Sequence, residues 1–360
     1  MQKIGYILFF FSGIAGLIYE ATWARYLKMF LGHSSYGQIL TLILYMGGLG
    51  VGSLLASKYS YKFKSMFKAY AYIEIAVAVG GLLYHPLYEA MTNYFYSTHW
   101  NPQYAEGIKI LFSSLLTTPL AILLGTTFPI LASGFLRQGV GEVSLSRLYF
   151  CNSMGAALGI LLASYVFIPF WGSPGSLLVA VFINLSIAIG FFYLSKFENK
   201  TTHIKLLHNQ DLQTKTKTGG KRIHLWLWVS LLTGLTSFIY EIGWIRMLSL
   251  MLGSSTHSFD IMISAFIIGL ALGAWCSRKK LNPGTDHIYF LSWVQICMGF
   301  CALLTVYLYE PYFHIMNEAN HFFAKSDGGY VWLNLFKYLI SMMWMVPTSI
   351  FAGMTLPTLT

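Results

Sequence analysis

The sequence predicts an all-α polytopic membrane protein built as two parallel six-helix repeats, the second truncated, with about ten helices present. Three observations lead there. First, 56% of the residues are hydrophobic and only 10% are charged, against about 25% charged in a soluble domain. Apolar runs of about 20 residues, long enough to cross a bilayer core, recur along the whole chain. Second, the run Tyr19-Glu20-Ala21-Thr22-Trp23-Ala24-Arg25 returns 221 residues later as Tyr240-Glu241-Ile242-Gly243-Trp244-Ile245-Arg246. The register holds onward without a gap, through Leu27 and Leu248, Gly32 and Gly253, Gly48 and Gly269, Gly52 and Gly273, and Lys58 and Lys279. Third, Pro119, Gly125 and Pro129 return as Pro347, Gly353 and Pro357 at a shift of 228, the extra residues falling in a longer external loop around Asn317 to Gly329.

The first helix, Ile4–Tyr26, is too long and too acidic in its distal part for a cleaved signal peptide, so it reads as retained. Tyr36–Ser57 carries Gly48-x-x-x-Gly52, a spacing that lets helices approach closely. Tyr70–Met91 has Glu74 near its inner end and Glu89 near its outer end; their counterparts are Gln295 and Glu310. An amide opposite a carboxylate suggests a satisfied polar contact at Glu74. Gly107–Phe135 contains Pro119 and Pro129, which free carbonyls and permit kinks. Arg147–Phe170 and Ser176–Lys196 complete the first repeat, residues 1–196. Residues 197–222 are polar and densely basic, without apolar periodicity, and read as a cytoplasmic linker. Ile223–Met247, Ser258–Cys276, His287–Phe313 and Tyr330–Thr360 form the incomplete second repeat, residues 223–360. It stops inside its fourth helix, so the sequence reads as a fragment or a shortened member; a complete repeat would need two further helices.

With the N-terminus cytoplasmic, 17 of the 23 Lys and Arg residues fall on the inner side, which sets the orientation. Six helices separate the repeats, so both start inside and are related by an axis along the membrane normal. The expected location is a bacterial-type plasma (inner) membrane. The net charge of +10 sits mainly in alternate loops, as topology requires, and no nucleic-acid partner is expected. The cysteines Cys151, Cys276, Cys297 and Cys301 lack ligand spacing to histidine, and no histidine pair has the spacing of a helical metal site. No metal and no cofactor are expected. Gly48-x-Gly50-x-Gly52 lies inside an apolar helix with no strand before it, which excludes a dinucleotide-binding turn.

Several ordered motifs carry a family resemblance. Ser12-Gly13, Tyr19-Glu20, Trp23, Arg25 and Gly32, then Gly48-Leu49-Gly50-Val51-Gly52-Ser53, resemble membrane-embedded spermidine synthase-like proteins. So do Gly125-Thr126-Thr127-Phe128-Pro129-Ile130-Leu131 and Arg147-Leu148-Tyr149 with Asn152-Ser153-Met154-Gly155-Ala156-Ala157-Leu158-Gly159. The resemblance implies a major-facilitator-like bundle whose first, fourth, seventh and tenth helices line a central cavity. It also implies an aminopropyltransferase-like partner domain that binds decarboxylated S-adenosylmethionine in a Rossmann-like fold. These residues hold no such domain and no catalytic residue is assigned; aminopropyltransferase activity would reside in the missing part.

Glu20 lies about 16 residues into its helix, roughly 24 Å from the inner end, in the outer third of a bilayer. A carboxylate there is a functional candidate. Trp23 shares its face and Tyr19 stands one turn from Trp23, whereas Arg25 is about 140° round the helix from Glu20. Two readings stay open. In one, Glu20 and Glu241 attract a small organic cation such as a polyamine, and Tyr19, Trp23, Tyr240 and Trp244 stack on it. In the other, Glu20–Arg246 and Glu241–Arg25 latch the halves and the aromatics form an interfacial belt. The function expected is binding or transport of a small metabolite, with a non-transporting anchor for an aminopropyltransferase domain as the alternative.

Overall fold

A computed structural model describes residues 2–32, 34–139, 143–198, 220–253, 256–280, 287–323 and 327–359. Every regular element among them is helical: α1 (Gln2–Leu31), α2 (Ser34–Tyr59), α3 (Met66–Ser97), α4 (Pro102–Arg137), α5 (Val143–Leu162), α6 (Ile168–Ser195), α7 (Gly220–Leu252), α8 (Thr256–Lys280), α9 (His287–Tyr307), α10 (Tyr309–Phe322) and α11 (Asp327–Leu359). Nine described stretches are long and apolar enough to cross a membrane. Most of the linker of residues 197–222 lies outside the described residues.

Helices run further than hydropathy marks. α1 continues to Leu31 and α4 starts at Pro102, because the backbone ladder persists where side chains turn polar. Asn101 caps α4 by accepting from the Gln103 N–H at 3.1 Å, with Pro102 in the first turn, where a missing N–H costs nothing. One nine-count stretch, Leu145–Ser195, is 51 residues long, or roughly 77 Å as a helix, far more than one crossing. It contains a π-helical turn at Ala163–Phe167 and a break at Gly172, whose φ of 68° and ψ of −179° are open only to glycine. The break falls between the fifth and sixth expected helices.

Two expectations are corrected. His287–Phe313 is not one helix: it ends at Tyr307 and restarts as α10 at Tyr309. Pro311 has no N–H to give Tyr307 and its ring would clash with that carbonyl, whereas three residues into a new helix it is tolerated. The segment around Asn317, expected as an external loop, is accordingly helical as far as Phe322.

The chain divides into two compact units, one of Met1–Ser144 with Leu158–Leu212, the other of Leu145–Ala157 with Gln213–Thr360. In the first, α2 packs on α4 through Gly52 and Gly125. A Cβ at Gly52 would overlap the Ile122 carbonyl oxygen, and one at Gly125 the Leu49 carbonyl oxygen. In the second unit, Gly273 stands against the Ile350 carbonyl and Gly353 against the Leu270 carbonyl, the same contacts at shifts of 221 and 228. Gly32 and Gly253, which follow α1 and α7, both have positive φ, 79° and 89°. Pro119 and Pro129 lie within a continuous α4. Pro347 lies within α11, as does Pro357, whose side chain is outside the described set. Pro129 removes the donor that would meet the Gly125 carbonyl, and just before it Thr126 and Thr127 donate to the Leu123 and Leu124 carbonyls at 2.7 and 2.6 Å.

Candidate functional site

In the first unit, α1 and α3 place one polar or aromatic residue opposite another at a sequence offset of about 62. Ser12 Oγ donates to Glu74 Oε1 at 2.8 Å, and Glu74 is fully buried. The Tyr70 hydroxyl faces the same carboxyl group, and the Tyr19 hydroxyl has no hydrogen-bond partner among the described residues. Gly81 leaves the space that the Tyr19 ring fills. Glu20 is 3% exposed, and on α2 nearby Tyr45 donates to the Gly16 carbonyl at 3.3 Å. Ser12 and Glu20 are eight residues apart, so the two carboxylates are separated by roughly 12 Å along the helix axis.

Trp23 is at the centre of the aromatic part. It stacks with Tyr19 and with Tyr84, both at 5.4 Å between ring centroids, and meets Tyr45 edge-on at 6.1 Å. It is fully buried, as are Tyr19 and Tyr84, so its indole offers no open face. Arg25, half-buried, reaches Ser164 Oγ at 3.4 Å on the π-helical turn. Farther along, Tyr26 bonds His85 Nδ1 at 2.9 Å, and His85 Nε2 stands 3.4 Å from Glu89.

The second unit repeats these contacts with other side chains. Tyr240 stacks on Trp244 at 5.7 Å, and Trp244 meets Phe266 at 6.3 Å. Its Nε1 donates to Thr305 Oγ1 at 3.0 Å. Gln295 Nε2 donates to Thr233 Oγ1 at 3.3 Å. Tyr309 donates to the Met247 carbonyl at 3.4 Å. Glu241 is 4% exposed and Trp244 3%, while Tyr240 is half-buried and Arg246 exposed.

The structure therefore brings Tyr19 together with Trp23, and Tyr240 with Trp244. It adds Tyr45, Tyr84, Phe266, Thr305 and Thr233, which sequence reasoning did not single out, and gives Ser12, named there only as part of a motif, a partner in Glu74. A signal existed: each of the first unit's added residues maps onto the second unit's at the shift of 221 already set by the Tyr-Glu-Trp-Arg run. Among the described residues no group of three or more His, Cys, Asp or Glu could hold a metal ion. Enclosed carboxyl groups lined by phenols are suited chemically to a cation or a proton.

Comparison with known proteins gives one distant similarity. Over 197 residues, 53% of this chain, the sequence is 25% identical to a polyamine aminopropyltransferase of Oceanobacillus iheyensis; the match covers 36% of that protein. The chain thus spans about a third of the curated relative it matches. No family model matches it, and no solved structure matches it.

Proposed function

We propose that the chain is the membrane region of a spermidine synthase-like protein, a duplicated major-facilitator-like bundle that binds or moves a small organic cation, a polyamine being favoured. The observation that carries this reading is the burial of Glu20 and Glu74 inside one unit. Acidic groups enclosed at membrane depth are costly, and their usual compensation is a cation, a proton or a polar pathway. The carboxylates, rather than Trp23, would meet the ligand, because the indole is already covered by Tyr19, Tyr84 and Tyr45. Glu241 would serve the same role in the second unit. The distant similarity to a polyamine aminopropyltransferase supports the choice of cation.

The second reading is an anchor that holds an aminopropyltransferase domain at the membrane. The complete burial of Tyr19, Trp23 and Tyr84 favours it, since an aromatic cluster so sealed also serves as packing. Radiolabelled spermidine uptake into proteoliposomes separates the two. Transport predicts uptake by the wild type and a loss of about tenfold or more in Glu20→Gln with Glu241→Gln, the scale of one lost charge-assisted contact or two. A wild-type protein that is folded and takes up no spermidine removes the transport reading.

A further inference from the structure

The end of α3 opposite the aromatic cluster is built as a basic lip over an apolar trough. The short 3-10 turn Ser60–Lys62 that leads into α3 is pinned from α4, where Arg137 donates to the Phe63 carbonyl at 2.8 Å and to the Ser60 carbonyl at 3.3 Å. The first turn of α3 is closed by Ser65, whose Oγ accepts from Lys68 N–H at 3.2 Å and donates to Glu198. Glu198 also accepts from the Met66 N–H at 2.9 Å. That carboxylate is therefore committed to the helix end.

Beside this fixed corner lies a groove of about 1090 Å³. Lys62, Lys64 and Lys68 line it together with Ser65 and Glu198, and Tyr72, Ile73 and Ala76 continue the lining along α3. The lysines and Tyr72 are exposed. From Lys68 to Ala76 the trough runs roughly 12 Å along α3, within a stretch apolar enough to cross a membrane. Tyr72 is held edge-on against Phe192 of α6 at 5.2 Å, which fixes one wall.

We propose that this groove binds one anionic phospholipid, its phosphate at Lys62, Lys64 and Lys68 and an acyl chain along Tyr72, Ile73 and Ala76. Charge and polarity select this occupant. Three cations at the polar end attract an anion, and clustered bases beside a membrane helix attract acidic lipid headgroups. The apolar length below them suits a hydrocarbon chain and gives a free anion nothing to hold. Of the chain's own linker, Glu198 lines the groove but is committed to the helix end, and the bases that follow, Lys205, Lys215, Lys217, Lys221 and Arg222, would be repelled by the lip.

Native mass spectrometry of the purified full chain in mixed micelles tests this, with equimolar phosphatidylglycerol and phosphatidylcholine, and inorganic phosphate as a third arm. The wild type is expected to retain phosphatidylglycerol over phosphatidylcholine. Lys62→Ala/Lys64→Ala/Lys68→Ala lowers that retention about tenfold or more and leaves phosphatidylcholine unchanged. Ile73→Trp, which fills the trough while keeping the lysines, lowers phosphatidylglycerol retention as well, and decides the matter if the triple variant does not fold. Equal retention of the two lipids by the wild type overturns the proposal. So does undiminished phosphatidylglycerol retention in a folded triple variant or in Ile73→Trp. Displacement of the lipid by millimolar inorganic phosphate overturns it too, by assigning the lip to phosphate alone.

Discussion

The two units make the same contacts and fill them with different chemistry. In the first, α1 meets α3 through Ser12–Glu74, Trp23–Tyr84 and Tyr26–Tyr88. In the second, α7 meets α9 and α10 at the corresponding positions through Thr233–Gln295, Trp244–Thr305 and Met247–Tyr309. The acid of one is an amide in the other, and the stacked phenol of one is a hydroxyl acceptor. Small residues and the Tyr–Trp stack are common to both. Packing is therefore set by the shared positions, and a charge at position 74 is not something this packing requires. The polar surplus of the first unit is what calls for a functional explanation.

The largest expected effects test the shared part. Gly52→Val and Gly273→Val each drive a Cβ into a backbone carbonyl oxygen, of Ile122 or Ile350, which cannot swing aside as a side chain can. Overpacking of this kind costs about 3 kcal/mol or more. Both variants should lose the monodisperse size-exclusion peak and melt at lower temperature. Gly50→Val, on α2 but with nothing within 4 Å of its added Cβ, should behave as the wild type. A Gly273→Val protein that remains as stable as the wild type would break the equivalence of the two units.

The difference between the units predicts a smaller, directional effect. Glu74→Gln gives the first unit the second unit's chemistry. The amide oxygen can still accept from Ser12, and a buried acid is removed. Melting should change by less than about 1 kcal/mol, while spermidine uptake, where the wild type shows it, should fall. A loss near 3 kcal/mol, the scale of breaking a buried ion pair, would mean that the ionised carboxylate is held by a cation, and position 74 would belong to the fold.

Much of this was legible in the sequence, and the gaps have physical causes. Hydropathy locates the stretches that suit lipid, so it found the helices but stopped short of Leu31 and missed the start at Pro102, where only backbone bonds and a cap define the helix. The break at Leu308 was readable from Pro311 but was hidden by a continuous apolar run. The glycine spacings gave the close approaches of Gly52 and Gly273, although not their partners Ile122 and Ile350. The repeated Tyr-Glu-Trp-Arg run lies on α1 and α7. Intrahelical spacing could not name Tyr84 or Thr305, because what a side chain meets across a helix pair depends on the pairing offset. The shift of 221 carried that information only once one unit's contacts were known.

The smallest effect separates the two tryptophans. Trp244 Nε1 donates to Thr305 at 3.0 Å, whereas Trp23 Nε1 is buried with no hydrogen-bond partner among the described residues. Replacing either by phenylalanine removes similar volume from a sealed site and leaves a ring to stack. Trp244→Phe additionally breaks a bond worth about 1 kcal/mol, and Thr305, which still donates to the Ala302 carbonyl at 2.7 Å, gains no replacement donor. Trp23→Phe removes a donor whose burial without a partner already costs about 1–3 kcal/mol, so part of the lost packing is offset. Trp244→Phe should therefore be the more destabilising by about 1 kcal/mol when both are melted in the same detergent. Equal losses would place a hydrogen-bond acceptor beside Trp23, and the first unit's aromatic site would then be as fully satisfied as its counterpart.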